Sequence, residues 1–239
     1  MDPVTELFLS LLAAILAITL HEAAHGYAAL ALGDDTAKRM GRLSLNPIAH
    51  IDRVGTIILP GLLLVGQLLT IGRVSFMFGW AKPVPVAAER FANPRQGMAL
   101  VALAGPAMNF FLAWLGGLSL HATPYLDPRA AAMLGDFAGY FILANLVLGL
   151  FNLLPIPPLD GGRIMVGILP LPLARFWAGF ERGGILLVLL FVFLLPQILA
   201  HYGIIFDPVG QALSQLMPWA AGWVLYLSGH TDGPDTLNV

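Results

Sequence analysis

The chain has 239 residues, 58% apolar and 11% charged, with a mean hydropathy of +0.80 and a net charge of −2. A water-soluble globule runs nearer half apolar and a quarter charged, so these proportions exclude one and point to an all-α, multi-span membrane protein. The absence of cysteine removes disulfides, iron–sulfur clusters and thiolate zinc sites, and without a run of basic residues nucleic acid has no electrostatic footprint.

A spanning helix takes about 20 apolar residues. The first stretch that meets this, 4–32, follows a start without Lys or Arg, so it reads as a span and not as a signal peptide. Residues 55–71 carry Pro60-Gly61 at their centre and read as a segment that dips in and returns. The stretches 98–120, 133–154, 183–199 and 208–227 complete about five spans. Charge decides the course of 55–71. If it re-enters, Lys38, Arg39, Arg42, Arg53, Arg73, Lys82, Arg90, Arg95, Arg163, Arg175 and Arg182 share one face and Arg129 alone lies on the other. If it crosses, the split falls from 11-to-1 to 7-to-5. The positive-inside bias therefore selects re-entry, with the amino terminus outside and the carboxyl terminus in the cytoplasm. Nothing divides the chain into separate domains: 1–163 reads as a core and 164–239 as a helical pair in the same unit.

The first span contains His21-Glu22-Ala23-Ala24-His25. Residues four apart share a helix face, so both imidazoles reach one cation and Glu22 lies close enough to take a proton from an activated water. Ionisable groups within a span cost about 2.5 kcal/mol or more each, a cost that a bland core role does not offset. His50, His121 and His201 read as ordinary satisfied histidines. A catalytic zinc needs a third protein ligand. Position 31 is Ala, which excludes a third His six residues after the second; Glu89 and Glu181 fall in polar loops. Asp160 is the remaining candidate. It sits in Asn152-Leu-Leu-Pro155-Ile-Pro157-Pro158-Leu159-Asp160-Gly161-Gly162-Arg163, where prolines and glycines break a helix. Read alone this is an ordinary turn, but the re-entrant topology brings it to the side of the bilayer where His21 and His25 lie. A metal transporter or a non-catalytic scaffold are the rival readings. The first should line a path across the midplane with polar groups, and the second should have lost Glu22 or a ligand.

His-Glu-x-x-His in one span, Ala104-Gly105-Pro106-x-x-Asn109 opening another, and Asn-x-x-Pro-x-x-Pro-x-Asp-Gly-Gly-Arg closing a third resemble the site-2 protease family of intramembrane zinc proteases. The resemblance covers about 19–163 and is to compact bacterial members without PDZ or CBS domains. It implies a multi-pass protein of the bacterial inner membrane, with one Zn2+ held by His21, His25 and Asp160 towards the cytoplasmic side. Glu22 is implied as acid/base and Asn152 as the substrate-binding or oxyanion-stabilising residue. Asn109 is implied to hold the substrate strand or pack the core. The expected substrates are transmembrane proteins, unwound locally and paired along an interfacial strand. Residues 41–45 are expected to form part of such a strand, and 73–86 also read as extended, either beside it or as a plain interfacial anchor through their aromatic residues.

Overall fold

One kind of dipeptide starts four of the long helices. Asp2-Pro3, Asn93-Pro94, Asp127-Pro128 and Asp207-Pro208 each place an acceptor side chain at the N-cap and a residue without an N–H at the first helical position. Asp2 accepts from the N–H groups of Val4 and Thr5, and Asp127 from those of Arg129 and Ala130. The computed structural model describes residues 2–70, 72 and 79–230. Its main helices are α1 (Pro3–Ala31), α2 (Arg53–Thr70, opening with a wide π turn), α3 (Pro94–Ser119), α4 (Pro128–Asn152), α5 (Asp160–Ile168), α6 (Leu171–Ala178), α7 (Gly184–His201) and α8 (Pro208–Leu227).

Five helices among the described residues, Pro3–Ala31, Arg53–Thr70, Pro94–Tyr125, Pro128–Asn152 and Gly184–His201, are long and apolar enough to cross a membrane. The protein is an all-α polytopic membrane protein. Helix α8 forms over the range expected, but Gln211, Ser214 and Gln215 leave it less apolar than those five.

Helix α3 is the centre of the bundle, antiparallel to α1 on one side and to α4 on the other. Against α1, His25 meets Val101 and Ala17 meets Asn109; against α4, Asn109 meets Asn145 and Gly116 meets Ile142. Small residues line these seams, among them Ala13, Ala17, Ala113 and Gly149, all buried. Lipid gives helices no hydrophobic reason to associate, so close backbone approach and interhelical hydrogen bonds supply the attraction.

The end of the bundle where α1 finishes and α3 begins is fixed by the Ala87 N–H, which donates to Asp34 over 2.7 Å. Helix α2 leaves from this end and the chain comes back to it. The Trp80 N–H donates to the Gly55 carbonyl at 3.2 Å and the Lys82 N–H to the His50 carbonyl at 2.8 Å. Both flanks of α2 are thus bonded together at one end, although its length and apolarity alone suit a crossing.

Two expectations need correction. The carboxyl terminus was expected on the same side as the loops that carry the basic residues. Instead, α8 ends at the opposite end of the bundle, where Trp114 Nε1 donates to Leu227 O and His121 Nε2 to Ser228 O. From there α8 runs back past Ala113 and Leu146 towards the metal-site end. No Lys or Arg follows Arg182, so charge bias is blind to the course of α7 and α8. Short interfacial strands were also expected, and none occurs among the described residues. Pro83 and Pro85 have no N–H with which to build a ladder. At 41–45 the chain turns through Gly41, whose φ is +63°, instead of extending. Residues 73–78 of the second expected segment lie outside the described residues.

Candidate metal centre

Helix α1 presents His21 and His25 one turn apart, with their Nε2 atoms 3.1 Å from each other. The third group arrives from a distant point in the sequence. After α4 ends, the Pro155–Pro158 stretch reverses the chain and α5 begins on Asp160, whose Oδ2 lies 3.1 Å from His21 Nε2 and 3.3 Å from His25 Nε2. Two glycines permit the approach. A Cβ on Gly161 would stand 2.2 Å from the Leu153 carbonyl oxygen, and one on Gly105 of α3 would stand 2.5 Å from His25 Nε2 and 2.6 Å from His21 Cε1.

The protonation of both rings follows from their other nitrogens. His25 Nδ1 lies 2.7 Å from the Val101 carbonyl, which only accepts, so that nitrogen carries the proton. For His21 the direction is set by a relay of amides. Asn145 Nδ2 donates to the Phe141 carbonyl at 2.8 Å, which turns its Oδ1 towards Asn109. Asn109 Nδ2 donates to that oxygen at 2.8 Å and to the Ala17 carbonyl at 3.4 Å, which turns Asn109 Oδ1 to His21 Nδ1 at 2.5 Å. Both imidazoles therefore hold their proton on Nδ1 and aim an Nε2 lone pair at Asp160 Oδ2. That oxygen is buried and has no hydrogen-bond donor.

Three lone pairs within 3.3 Å of one another, with no proton between them, call for a cation. The spacing fits zinc: ligand bonds of about 2.0–2.1 Å in a tetrahedron put donor atoms about 3.3 Å apart. A donor set of two imidazoles and one carboxylate also suits that ion. Among the described residues, His21, His25 and Asp160 are the one group of three or more potential ligands that converges in this way.

The centre opens on a cavity of about 860 Å³ whose walls are mostly apolar, among them Ile18, Trp80, Phe151 and Val188. Glu22 lines it, and its Oε2 accepts the Val84 N–H at 3.3 Å. Asn152 lines it too, with Nδ2 donating to Leu148 O at 3.0 Å. Asn109 does not face the cavity. It is fully buried behind His21, with both amide atoms engaged. The sequence reading passed over Asn145 and Val84. Asn145 had a signal, as a lone amide in the run Phe141-Ile-Leu-Ala-Asn145-Leu-Val-Leu148, where a polar group at membrane depth asks for a partner. Val84 had none, since its contribution is a main-chain N–H.

Comparison with known proteins points to one family. The profile of Peptidase family M50 matches residues 116–195, which include Asn152 and Asp160. YwhC of Bacillus subtilis, named as a candidate zinc metalloprotease, is 43% identical over 184 residues, covering 74% of this chain and 77% of YwhC. Rip2 of Mycolicibacterium smegmatis, named likewise, is 33% identical over 150 residues, covering 62% of this chain and 52% of Rip2. Rip3 of Mycobacterium tuberculosis is 42% identical over 66 residues, covering 27% of this chain and 16% of Rip3. No solved structure matches the chain. With YwhC alike across three quarters of both chains, the protein belongs to peptidase family M50, the site-2 protease family of zinc metallopeptidases.

Proposed function

We propose that the protein is an intramembrane endopeptidase that hydrolyses peptide bonds of transmembrane substrates, with one zinc per chain held by His21, His25 and Asp160. The observation that carries this reading is the convergence of three buried donor atoms, from α1 and α5, on an apolar cavity at one end of a membrane bundle. Zinc, when bound, polarises the scissile carbonyl and activates a water. Glu22, next to His21 and lining the same cavity, accepts the proton of that water and passes it to the leaving amine. Asn152 Nδ2 spends one N–H on Leu148 O and keeps a second for the developing oxyanion. Asn109 acts as a positioning residue: it fixes the proton of His21 on Nδ1 so that Nε2 stays free to bind.

A substrate helix hides its carbonyls in its own hydrogen bonds, so cleavage requires local unwinding within the cavity. Residues 1–163 carry the chemistry. The region after them completes the same unit, with Ile185 and Val188 on the cavity wall and Ala220 and Val224 packed on α3 and α4. The excess of Lys and Arg on the loops at the metal end supports a site that faces the cytoplasm, and the bacterial relatives support the inner membrane of a bacterium.

The test is Glu22→Gln in proteoliposomes, assayed with a synthetic polypeptide of one apolar span carrying a fluorophore and a quencher at its ends. The variant is expected to keep zinc and lose cleavage; turnover at the wild-type rate would refute the assignment.

A further inference from the structure

Glu22 is held by a segment that is itself tied down far from the metal. In Pro83-Val84-Pro85 the two prolines have no N–H, so Val84 supplies the single main-chain donor of the three, and that donor meets Glu22 Oε2 at 3.3 Å. The segment then runs along one face of α1. The Val84 side chain is buried against Gly26, where a Cβ would meet it at 3.1 Å, and Val86 packs on the cluster of Ala29, Phe91 and Val101. Beyond the end of the helix the Ala87 N–H reaches Asp34 Oδ2 at 2.7 Å. Residues 22, 26 and 29 recur at helical spacing, so the segment follows α1 step by step.

Asp34 is the far anchor. It is fully buried at the protein's surface end, and its other oxygen accepts the Thr36 N–H at 3.0 Å and the Thr36 hydroxyl at 2.5 Å. Arg90 Nε stands 3.8 Å away. The near end of the segment is held separately, by Arg42 Nη2 donating to Lys82 O at 3.1 Å and by the Lys82 N–H donating to His50 O. Nothing in the metal geometry uses these bonds.

The geometry points to Asp34 as a positioning residue for the acid/base step: by fixing Ala87 it holds the Val84 N–H on the carboxylate of Glu22. This rests on Glu22 being the proton-transfer group. An N–H donated to the carboxylate selects one rotamer of a flexible side chain, and misplacement by about 1 Å costs a catalytic group on the order of a hundred-fold in rate. In Asp34→Asn the one remaining oxygen serves the two Thr36 donors, and the Ala87 N–H is left facing an amide nitrogen that only donates.

Five variants of the protein in proteoliposomes test this, with the same quenched single-span polypeptide: Glu22→Gln, Asp34→Asn, Val84→Pro, the double variant Asp34→Asn/Val84→Pro, and Asp35→Asn as the control. If Val84→Pro does not fold, replacing Val84 by its α-hydroxy acid deletes the N–H and keeps the side chain. Asp34→Asn is expected to lower kcat about ten- to hundred-fold with KM and zinc content unchanged. Loss of the Val84 N–H should do the same, and the double variant should be no slower than the loss of the N–H alone. Asp35→Asn, which removes the neighbouring half-buried carboxylate bonded to Arg39 and Arg90, should turn over like the wild type. Wild-type kcat for Asp34→Asn, multiplying effects in the double variant, or loss of zinc from Asp34→Asn would overturn the proposal. Normal turnover by Glu22→Gln would instead remove the reading on which it rests.

Discussion

Gly105→Ala adds one methyl group between α3 and the two histidines. The new Cβ would stand 2.5 Å from His25 Nε2 and Cε1 and 2.6 Å from His21 Cε1. Carbon contacts relax at about 3.5 Å or more, so the rings or the helix must retreat by about 1 Å. The rings cannot retreat freely, because their Nδ1 atoms are tied to Val101 O and Asn109 Oδ1. Metal–ligand distances tolerate deviations of only about 0.2 Å. Moving ligand atoms costs more than the 10–100-fold typical of the residues behind them, so zinc affinity should fall at least about 100-fold, or about 2.8 kcal/mol. Overpacking adds a folding cost of about 1–3 kcal/mol. The assay is zinc occupancy of the detergent-solubilised protein against a series of chelator-buffered free-zinc concentrations. Gly139→Ala, where nothing lies within 4 Å of the added carbon, is the matched control and should bind as wild type. Wild-type zinc affinity in Gly105→Ala would refute the reasoning that α3 packs directly on the ligands.

Replacing Asn109 by Leu leaves the His21 N–H buried without an acceptor and should weaken zinc about 10–100-fold in the same titration, while an exposed change such as Tyr125→Phe does nothing. The chain has no cysteine, so single cysteines report topology cleanly: Met40→Cys and Glu89→Cys should label from one face of sealed vesicles and Tyr125→Cys and His230→Cys from the other. Labelling of position 230 from the face that labels position 40 would contradict the direction of α8. Burial pushes the Asp34 carboxyl up, but hydrogen bonds from Thr36 and Ala87 and the charge of Arg90 outweigh it and hold it below the ordinary carboxylate value near 3.8. A lowered carboxyl contributes stability that is fully present above its unfolded value and is lost as pH falls through the folded one. Thermal unfolding should therefore show a loss below about pH 4 that shrinks in Asp34→Asn, and an unchanged acid slope in that variant would count against the clamp.

The parts of this account legible in the sequence are those written in local chemistry. His-Glu-x-x-His at helical spacing announced two donors on one face, and the Asx-Pro pairs that start four helices were an equally local signal that went unused. Asp160 was reachable by elimination, since Glu89 and Glu181 fall in polar loops, and by the charge asymmetry that brought its loop to the side of the two histidines. What the sequence hid depends on register between distant segments. The relay from Phe141 O through Asn145 and Asn109 to His21 exists only because α4, α3 and α1 alternate in direction with matched heights. The Val84 N–H is a main-chain group, with no side chain to betray it. The direction of α8 was hidden because the chain after Arg182 carries no basic residue. The expected strands failed on local backbone chemistry: Gly41 turns the first segment, and Pro83 and Pro85 of the second lack the donors that a ladder needs.

The central claim is that α1 and α5 hold one cation jointly. Its most direct test is the zinc content of purified wild-type protein beside Asp160→Ala and His21→Ala, equilibrated at the same free zinc. The account predicts about one zinc per wild-type chain and close to none in either variant. Full zinc in Asp160→Ala, or metal-free wild-type protein that still cleaves the single-span polypeptide, would contradict it.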